Sequence, residues 1–343
     1  PPPSPGPPEH TRWYVRSGAS GANDGCSWTD AFNDLQAALA TATSGDEIWV
    51  AGGRYKPTTG IDRTASFAPP AGVKIYGGFA GNETSLSQRN WRNNQTILTG
   101  DLSGNDNANI ARIEPTRSDN SIHVITVYDK SSAVVLDGLI VTGGNADTAF
   151  WGSNGNVSNG GGLRLISSAL TIRNCVFEKN TASKGGSIYD EVSGSTLRIE
   201  ESIFRNNVSH FAGTVHFAGG YAVESCVVYN NQTKDSPFGY QIGGGFFLGG
   251  NSSGTINNSV FANNYADEAG GAIASQGNAV ITNCSFYGHS VFNLDARTGQ
   301  TLYRWQTGTL DLKNCIIWGS SGGGSVTDGT INITNSIIQG GHA

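Results

Sequence analysis

One short phrase returns seven times between residue 134 and the C-terminus, and its repetition constrains the fold more than any other feature. Each copy alternates apolar with polar residues, which is the period of a β-strand with one buried face. Each copy also carries a small residue at one fixed place. The copies lie at residues 135–141, 170–177, 197–204, 221–228, 254–261, 279–286 and 310–317, with a shorter one at 331–338.

The small residues recur at intervals that range from 21 residues, Cys315 to Ser336, to 37 residues, Gly138 to Cys175. A loose period of this kind indicates stacked coils joined by loops of variable length. Hairpins would show tight two-residue turns at closer spacing. We therefore predict an all-β solenoid, a single parallel β-helix in which the small residues stack inward. The whole row is Gly138, Cys175, Ser202, Cys226, Ser259, Cys284, Cys315 and Ser336.

The N-terminal region divides into two parts. Residues 1–12 are rich in proline and read as a tail or linker, whereas residues 13–343 form the predicted β-helix. An amphipathic helix is predicted over about 27–43, with Phe32 and Leu35 on its apolar face, Ser27 as its N-cap and Gly45 as its stop. Such a helix would cap the first coil and cover its exposed strand edges.

Composition excludes several classes of function. The net charge of −6 has no basic stripe to offset it, so nucleic acid is not an expected partner. Direct membrane insertion is not expected either, because no apolar run approaches about 18 residues. The chain starts at Pro1 and contains no methionine, which indicates a processed or partial product.

Glycosylation sequons favour an extracellular or cell-surface location. The alternative is that a chain rich in Asn, Ser and Thr produces sequons by chance. Asn283 and Asn332 fall inside strand phrases and are the poorest acceptors. The glycosylation candidates are Asn82, Asn94, Asn156, Asn207, Asn231, Asn251 and Asn257.

Four cysteines occupy the small-residue row and are interpreted as buried packing residues. Cys284 and Cys315 fall on consecutive coils, so a disulfide between them is the alternative. Cys26 has no evident partner in the sequence.

A loop at residues 100–107 offers hard oxygen ligands on a glycine-rich backbone. Asp101, Asn105 and Asp106 are its metal candidates, and a structural Ca²⁺ is the one cofactor considered. Its spacing matches no specific calcium loop, so a turn rich in Asn and Asp is the alternative.

Aromatic residues in the longer loops are candidates for stacking on sugars. Tyr303, Trp305 and Trp151 are the predicted glycan contacts, whereas Phe246 and Phe247 are assigned to core filling.

Two sets of motifs resemble known families. Residues 14–57, 73–91 and 96–106 resemble the start of the right-handed parallel β-helix proteins of bacterial "choice-of-anchor" surface families. FEKN (177–180), FRNN (204–207) and FANN (261–264), alternating with GGSI and GGAI, resemble the repeats of polymorphic outer-membrane adhesins. The resemblance implies a right-handed β-helix and a role in adhesion, and it implies no particular chemistry.

The favoured function is an extracellular structural or adhesive surface protein whose partners are surface glycans and further copies of itself. Head-to-tail filaments would join the last coil, at Ile331, Ile333, Ile337 and Ile338, to the tail at Pro1, Pro2 and Pro3. One alternative is a pectate-lyase-like lyase or hydrolase, which needs stacked carboxylates for Ca²⁺ and a basic residue. The other is a monomeric glycan-binding module. The sequence favours a protein that is not an enzyme.

Overall fold

Parallel strands dominate the architecture of this chain. The computed structural model describes residues 11–111, 113–146, 155–236, 241–292, 299–305, 308–320, 327–328 and 330–339. Within these residues the strands stack into four parallel sheets, which we name A to D in the order in which one coil visits them. The predicted all-β solenoid is therefore confirmed.

Sheets A and B run nearly the whole length of the solenoid. Sheet A has eleven strands in the described residues: Arg12–Val15, Glu47–Ala51, Lys74–Phe79, Val134–Asp137, Ala169–Arg173, Thr196–Glu200, Gly220–Glu224, Ser253–Asn257, Asn278–Thr282, Leu310–Lys313 and Ile331–Thr334. Sheet B has ten there: Gly53–Tyr55, Thr96–Thr99, Leu139–Thr142, Val176–Glu178, Ile203–Arg205, Val227–Tyr229, Val260–Ala262, Ser285–Tyr287, Ile316–Trp318 and Ile337–Ile338.

Sheets C and D close each coil. Sheet C, as far as the structure describes it, comprises Thr181–Lys184, Val208–Ala212, Gln232–Thr233, Tyr265–Ala266 and Ser290–Val291. Sheet D comprises Ile125–Tyr128, Leu163–Ile166, Ile188–Asp190, Val215–Phe217, Phe246–Leu248, Ile273–Ser275, Leu302–Arg304 and Thr327–Asp328. Three short 3₁₀ turns are described at Leu86–Gln88, Pro115–Arg117 and Gly155–Ser158.

The corner between sheets A and B explains the repeated phrase. From Cys175 onward, the residue before each small residue adopts a left-handed conformation, with φ of 51° at Asn174 and 50° at Asn258. Asparagine tolerates this conformation better than most residues. The next residue then points inward and is buried on every coil from Cys175 to Cys315. In the first copy the prediction was wrong, because Gly138 itself takes the left-handed position, with φ of 77°, and Leu139 points inward.

A second left-handed corner, between sheets B and C, leads into a buried ladder of amides. The side chains of Asn180, Asn207, Asn231 and Asn264 are fully buried on consecutive coils. Nδ2 of Asn231 donates to Phe204 O at 2.9 Å and to Oδ1 of Asn264 at 3.0 Å. Its Oδ1 accepts from both the backbone N and Nδ2 of Asn207. Each amide therefore ties three coils together.

The phenylalanine of the FxxN motifs fills the interior beside this ladder. The rings of Phe177 and Phe204 stack with centroids 5.3 Å apart, and those of Phe261 and Phe286 are 5.0 Å apart. The coil between these pairs carries Val228 instead. Phe246 from sheet D fills the remaining space, with edge contacts to Phe204 and Phe261.

The N-terminal helix caps the first coil but is shorter than predicted. It spans Leu35–Thr41, with Asp34 as its N-cap, and it buries Leu35 and Leu39 against the core. Ser27 does bond Asp30, but this pair stabilises a turn. The helix cannot begin earlier because Phe32 exchanges backbone hydrogen bonds with the first strand of sheet A.

That first strand begins at Arg12, so Arg12 belongs to the solenoid although the predicted tail ended there. Residues 1–10 of the tail lie outside the described residues.

Two glycosylation candidates were wrong. Asn207 and Asn231 belong to the buried amide ladder, and a folded chain cannot carry a glycan on either side chain. Asn82 and Asn251 are exposed, whereas Asn94 and Asn257 are half-buried. The side chain of Asn156 lies outside the described residues.

We predict that Asn231→Ala lowers the free energy of unfolding by about 3 kcal/mol, because it leaves buried partners on two neighbouring coils unsatisfied. Urea unfolding followed by circular dichroism measures the change. Asn82→Ala, at an exposed site, serves as the control and should shift stability by less than about 0.5 kcal/mol. Equal effects of the two substitutions would show that the ladder does not stabilise the coils.

His289 continues the ladder with an imidazole. Its Nδ1 accepts from Asn264 N at 3.2 Å, and its Nε2 lies 3.2 Å from Phe261 O. Burial lowers the pKa of His289 from 6.5 to about 4. The unfolded chain therefore binds the proton more readily, so stability is complete above pH 6.5 and is lost as the pH falls towards 4.

We predict that His289→Asn removes part of this acid sensitivity, because an amide offers the same acceptor and donor without titrating. The wild-type chain should lose about 3 kcal/mol more than the variant between neutral pH and pH 4. Parallel urea titrations across this pH range make the comparison. Identical pH profiles would contradict the assignment of His289 as a neutral rung.

Candidate functional site

The predicted metal loop is held by protein groups. Asp101 accepts hydrogen bonds from the backbone N–H groups of Gly104, at 2.7 Å, and Asn105, at 3.1 Å. Oδ2 of Asp106 accepts from Arg117 at 3.1 Å and from Asn120 at 3.0 Å. The described residues contain no group of three or more His, Cys, Asp or Glu side chains that is placed to hold a metal ion.

Arg117 is the residue that organises this loop. Its side chain is 1% exposed, and it also donates to the carbonyls of Gly144 and Lys179 on two further coils. Burial raises the pKa of Asp106, and the neighbouring Arg117 opposes that rise. An ion pair therefore occupies the place that the sequence analysis gave to a cation.

Cys284 and Cys315 are both free thiols, buried in the row of small residues. The hydrogen bond with Cys315 and burial together raise the pKa of Cys284.

A groove beside sheet D brings aromatic and charged side chains together. The middle residue of each sheet D strand points outward, and the strand register aligns Tyr189, His216, Phe247, Ala274 and Tyr303 in one row. A tight turn with positive φ precedes these strands. At Gly243, where φ is 73°, an added Cβ would lie 2.4 Å from Phe246 O, so the corner requires glycine.

The rings of this row stack along the solenoid axis. Tyr189 and His216 have centroids 4.8 Å apart, and His216 and Phe247 have centroids 5.1 Å apart with a 28° interplanar angle. Trp305 packs half-buried on the same cluster. The resulting cavity measures about 420 Å³, and its polar rim includes Glu191, Asn251 and Gln276.

Burial favours the neutral forms of two basic side chains in the groove, the imidazole of His216 and the amine of Lys184. Burial, followed by the charge of Lys184, lowers the pKa of His216 to about 3. Burial also lowers the pKa of Lys184, whose Nζ lies 4.9 Å from the centroid of Phe211. Glu191 accepts from Arg164 at 2.8 Å. The groove thus offers stacked rings, a neutral imidazole and several hydrogen-bonding groups on one surface.

The three predicted glycan contacts lie in different parts of the structure. Trp305 lines the groove, and its contact with a glycan stays a prediction. Tyr303 does not line the groove; its side chain packs in the apolar cluster below, together with Ala212 and Ile242. Trp151 lies outside the described residues.

The sequence analysis did not identify Tyr189 or His216 as groove residues, whereas its assignment of Phe247 to core filling agrees with a side chain that is 6% exposed and lies in an apolar cluster. A signal was present in the three-residue strands that follow the glycine-rich turns. Each of these strands begins with an apolar residue that points inward, so its middle residue points outward; the strands are IYD, VHF, FFL, IAS and LYR. Strand alternation would have placed those middle residues on one outer face.

The predicted self-assembly residues lie on the last described coil. Ile331 is buried, Ile333 and Ile338 are half-buried against the core, and Ile337 is 59% exposed. Pro1, Pro2 and Pro3 lie outside the described residues, and the head-to-tail contact stays a prediction.

Stacked parallel coils with one continuous core define the class of this protein. The chain belongs to the right-handed β-helix family, whose description, "Right handed beta helix region", matches residues 70–304. The predicted handedness is thereby confirmed. The finer resemblance to choice-of-anchor proteins and adhesins stays a prediction.

Two known proteins are similar to this chain. It is 28% identical over 203 residues to the "Metabotropic glutamate receptor-like protein R" of Dictyostelium discoideum, a match that covers 54% of this chain and 12% of that protein. The pectate lyase Pel9A shares the fold with a TM-score of 0.51 and 12% identity, covering 96% of this chain and 80% of the lyase. At this identity the second likeness concerns the fold alone.

We predict that Arg117→Met lowers the free energy of unfolding by about 3 kcal/mol or more, because it leaves Asp106 as an unpaired buried carboxylate. Arg198→Met is the matched control: the Arg198 side chain is 58% exposed, so the loss should stay below about 1 kcal/mol. Urea unfolding measures both. Equal losses of unfolding free energy in the two variants would show that the ion pair does not hold the loop. A wild-type chain that becomes more stable when Ca²⁺ is added would support the predicted metal site.

Proposed function

We propose that this chain is an extracellular adhesive protein that binds glycans in the groove beside sheet D. The observation that carries the proposal is the groove itself, which is floored by the largely buried rings of Tyr189, His216 and Phe247 and bordered by the half-buried ring of Trp305. Aromatic faces pack on the apolar faces of sugar rings, and the polar groups of the rim suit sugar hydroxyls.

The dimensions of the groove support a small-ligand site. Its volume of about 420 Å³ falls within the usual range for such pockets. Asn251 and Gln276 bring amide groups to the rim, where they can donate to and accept from the same ligand. A rigid solenoid presents these groups with little loss of conformational freedom on binding.

The extracellular location is part of the same proposal. No helix among the described residues has the length and apolar character needed to cross a bilayer. The exposed sequon at Asn82 is compatible with a secretory route.

Polysaccharide cleavage is the second candidate function, and Lys184 is the observation that favours it. Burial lowers the pKa of this amine, which favours the neutral form that a general base needs. A Ca²⁺-dependent lyase also needs clustered carboxylates, and the described residues form no such cluster. Binding without cleavage is therefore the function that the groove supports better.

We predict that Trp305→Ala raises the dissociation constant for the bound glycan about tenfold, because one stacking face is lost. A panel of neutral and acidic polysaccharides identifies the ligand, and calorimetry with a short oligosaccharide of that type gives the constant.

Tyr128→Ala is the matched control, because Tyr128 is an aromatic residue that is 55% exposed and does not line the groove. Its affinity should equal that of the wild type. Loss of binding in the control but not in Trp305→Ala would place the glycan site elsewhere. Shortened or unsaturated products from the same polysaccharides would favour the cleavage alternative.

A further inference from the structure

The outer face of sheet B carries an apolar stripe that a single polar residue, Ser285, interrupts. Strand register aligns one aliphatic residue per coil along most of the sheet, and a second outward row runs beside it. The first row is Ile140, Val176, Ile203, Val227, Val260, Ser285, Ile316 and Ile337. This face lies apart from the groove beside sheet D.

The stripe is most exposed towards the C-terminal coils. Val227 and Val260 are 36% and 42% exposed, and Ile316 and Ile337 are 48% and 59% exposed. In the second row Tyr287 is 57% exposed and Trp318 is 52% exposed. At the other end, Trp91 and Arg92 border the face beside Ile140, so the accessible part begins near Val227.

Charge is absent from this part of the face. None of the nine outward side chains from Val227 to Ile337 in the described strands of sheet B is ionisable at neutral pH. Sheet A differs, since its outward rows carry Arg198, Glu200 and Lys313. Depletion of charge with enrichment of aromatic residues is typical of the buried centre of protein interfaces.

We propose that this face is the contact between two copies of the chain, packed sheet against sheet with the solenoids antiparallel. The two-fold axis would run along the strand Ser285–Tyr287. In this arrangement each outward row of one chain faces the same row of the other chain. Ala262 of one chain then lies opposite Trp318 of the other. The space above a small residue is thus filled by the largest side chain of the stripe.

The available area suits such a dimer. The six exposed apolar side chains present on the order of 600 Å² per chain, so a pair would bury about 1,200 Å² in total, enough for a specific interface. Because no charged side chain must be desolvated, little of the free energy gained by burying this apolar surface is offset. Sheets packed face to face with interleaved side chains are a common arrangement in proteins.

Ultracentrifugation and light scattering of the full chain over a wide concentration range test the proposal. The wild type should dimerise, and Ile316→Lys should raise the dimer dissociation constant by about a hundredfold or more. Val280→Lys is the matched control: Val280 is a half-buried outward residue of sheet A on the same coil as Tyr287, and its substitution should leave the dimer intact. Circular dichroism confirms that both variants fold.

A swap of two side chains tests the antiparallel arrangement. Ala262→Trp and Trp318→Ala should each weaken the dimer, the first by a clash and the second by a cavity. The double variant should restore it, because the large and small partners have exchanged places. Recovery of the wild-type dissociation constant in the double variant supports the two-fold contact, whereas additive weakening contradicts the antiparallel arrangement. A wild-type chain that stays monomeric, or one that uses Trp318 to bind glycans, contradicts the proposed dimer itself.

Discussion

In-register stacking of parallel coils is the constraint on which the rest of the structure depends. Each coil satisfies its backbone hydrogen bonds with the coils above and below, so a residue's environment is fixed by its position within one coil. Equivalent residues then form rows along the axis. The buried amide ladder strengthens this arrangement, because Asn207 and Asn231 bond side chain to side chain and side chain to backbone across consecutive coils.

Rows convert a repeated sequence into extended surfaces. An inward row makes the core, as Phe177 and Phe204 show, and an outward row makes a stripe that can recognise a partner. Because each coil contacts mainly its neighbours, a substitution in one row acts locally. The two proposed contact surfaces, the groove beside sheet D and the face of sheet B, therefore draw on different rows of the same coils.

The sequence predicted the fold because period-two alternation and the row of small residues both follow from the stacking itself. It was less successful where a local signal had two structural meanings. The Ser27 and Asp30 pair is a helix-start signal, but a bridge from Phe32 to the first strand made it a turn. Asn207 matches a sequon, yet the same asparagine fits a buried corner. Asp106 has a ligand's chemistry, and only the fold brings Arg117 to it.

The site was harder to predict because its residues come from different repeats, and their proximity depends on how the coils close. From Ala169 onward, the corner between sheets C and D varies most. It is short between Lys184 and Ile188, whereas 12 residues separate Thr233 from Phe246 and 10 separate Val291 from Leu302. Lys184 and Phe211 reach the groove from this corner. Loops of variable length on a constant scaffold are where proteins change specificity, so the uneven period falls at the corner that borders the proposed binding groove.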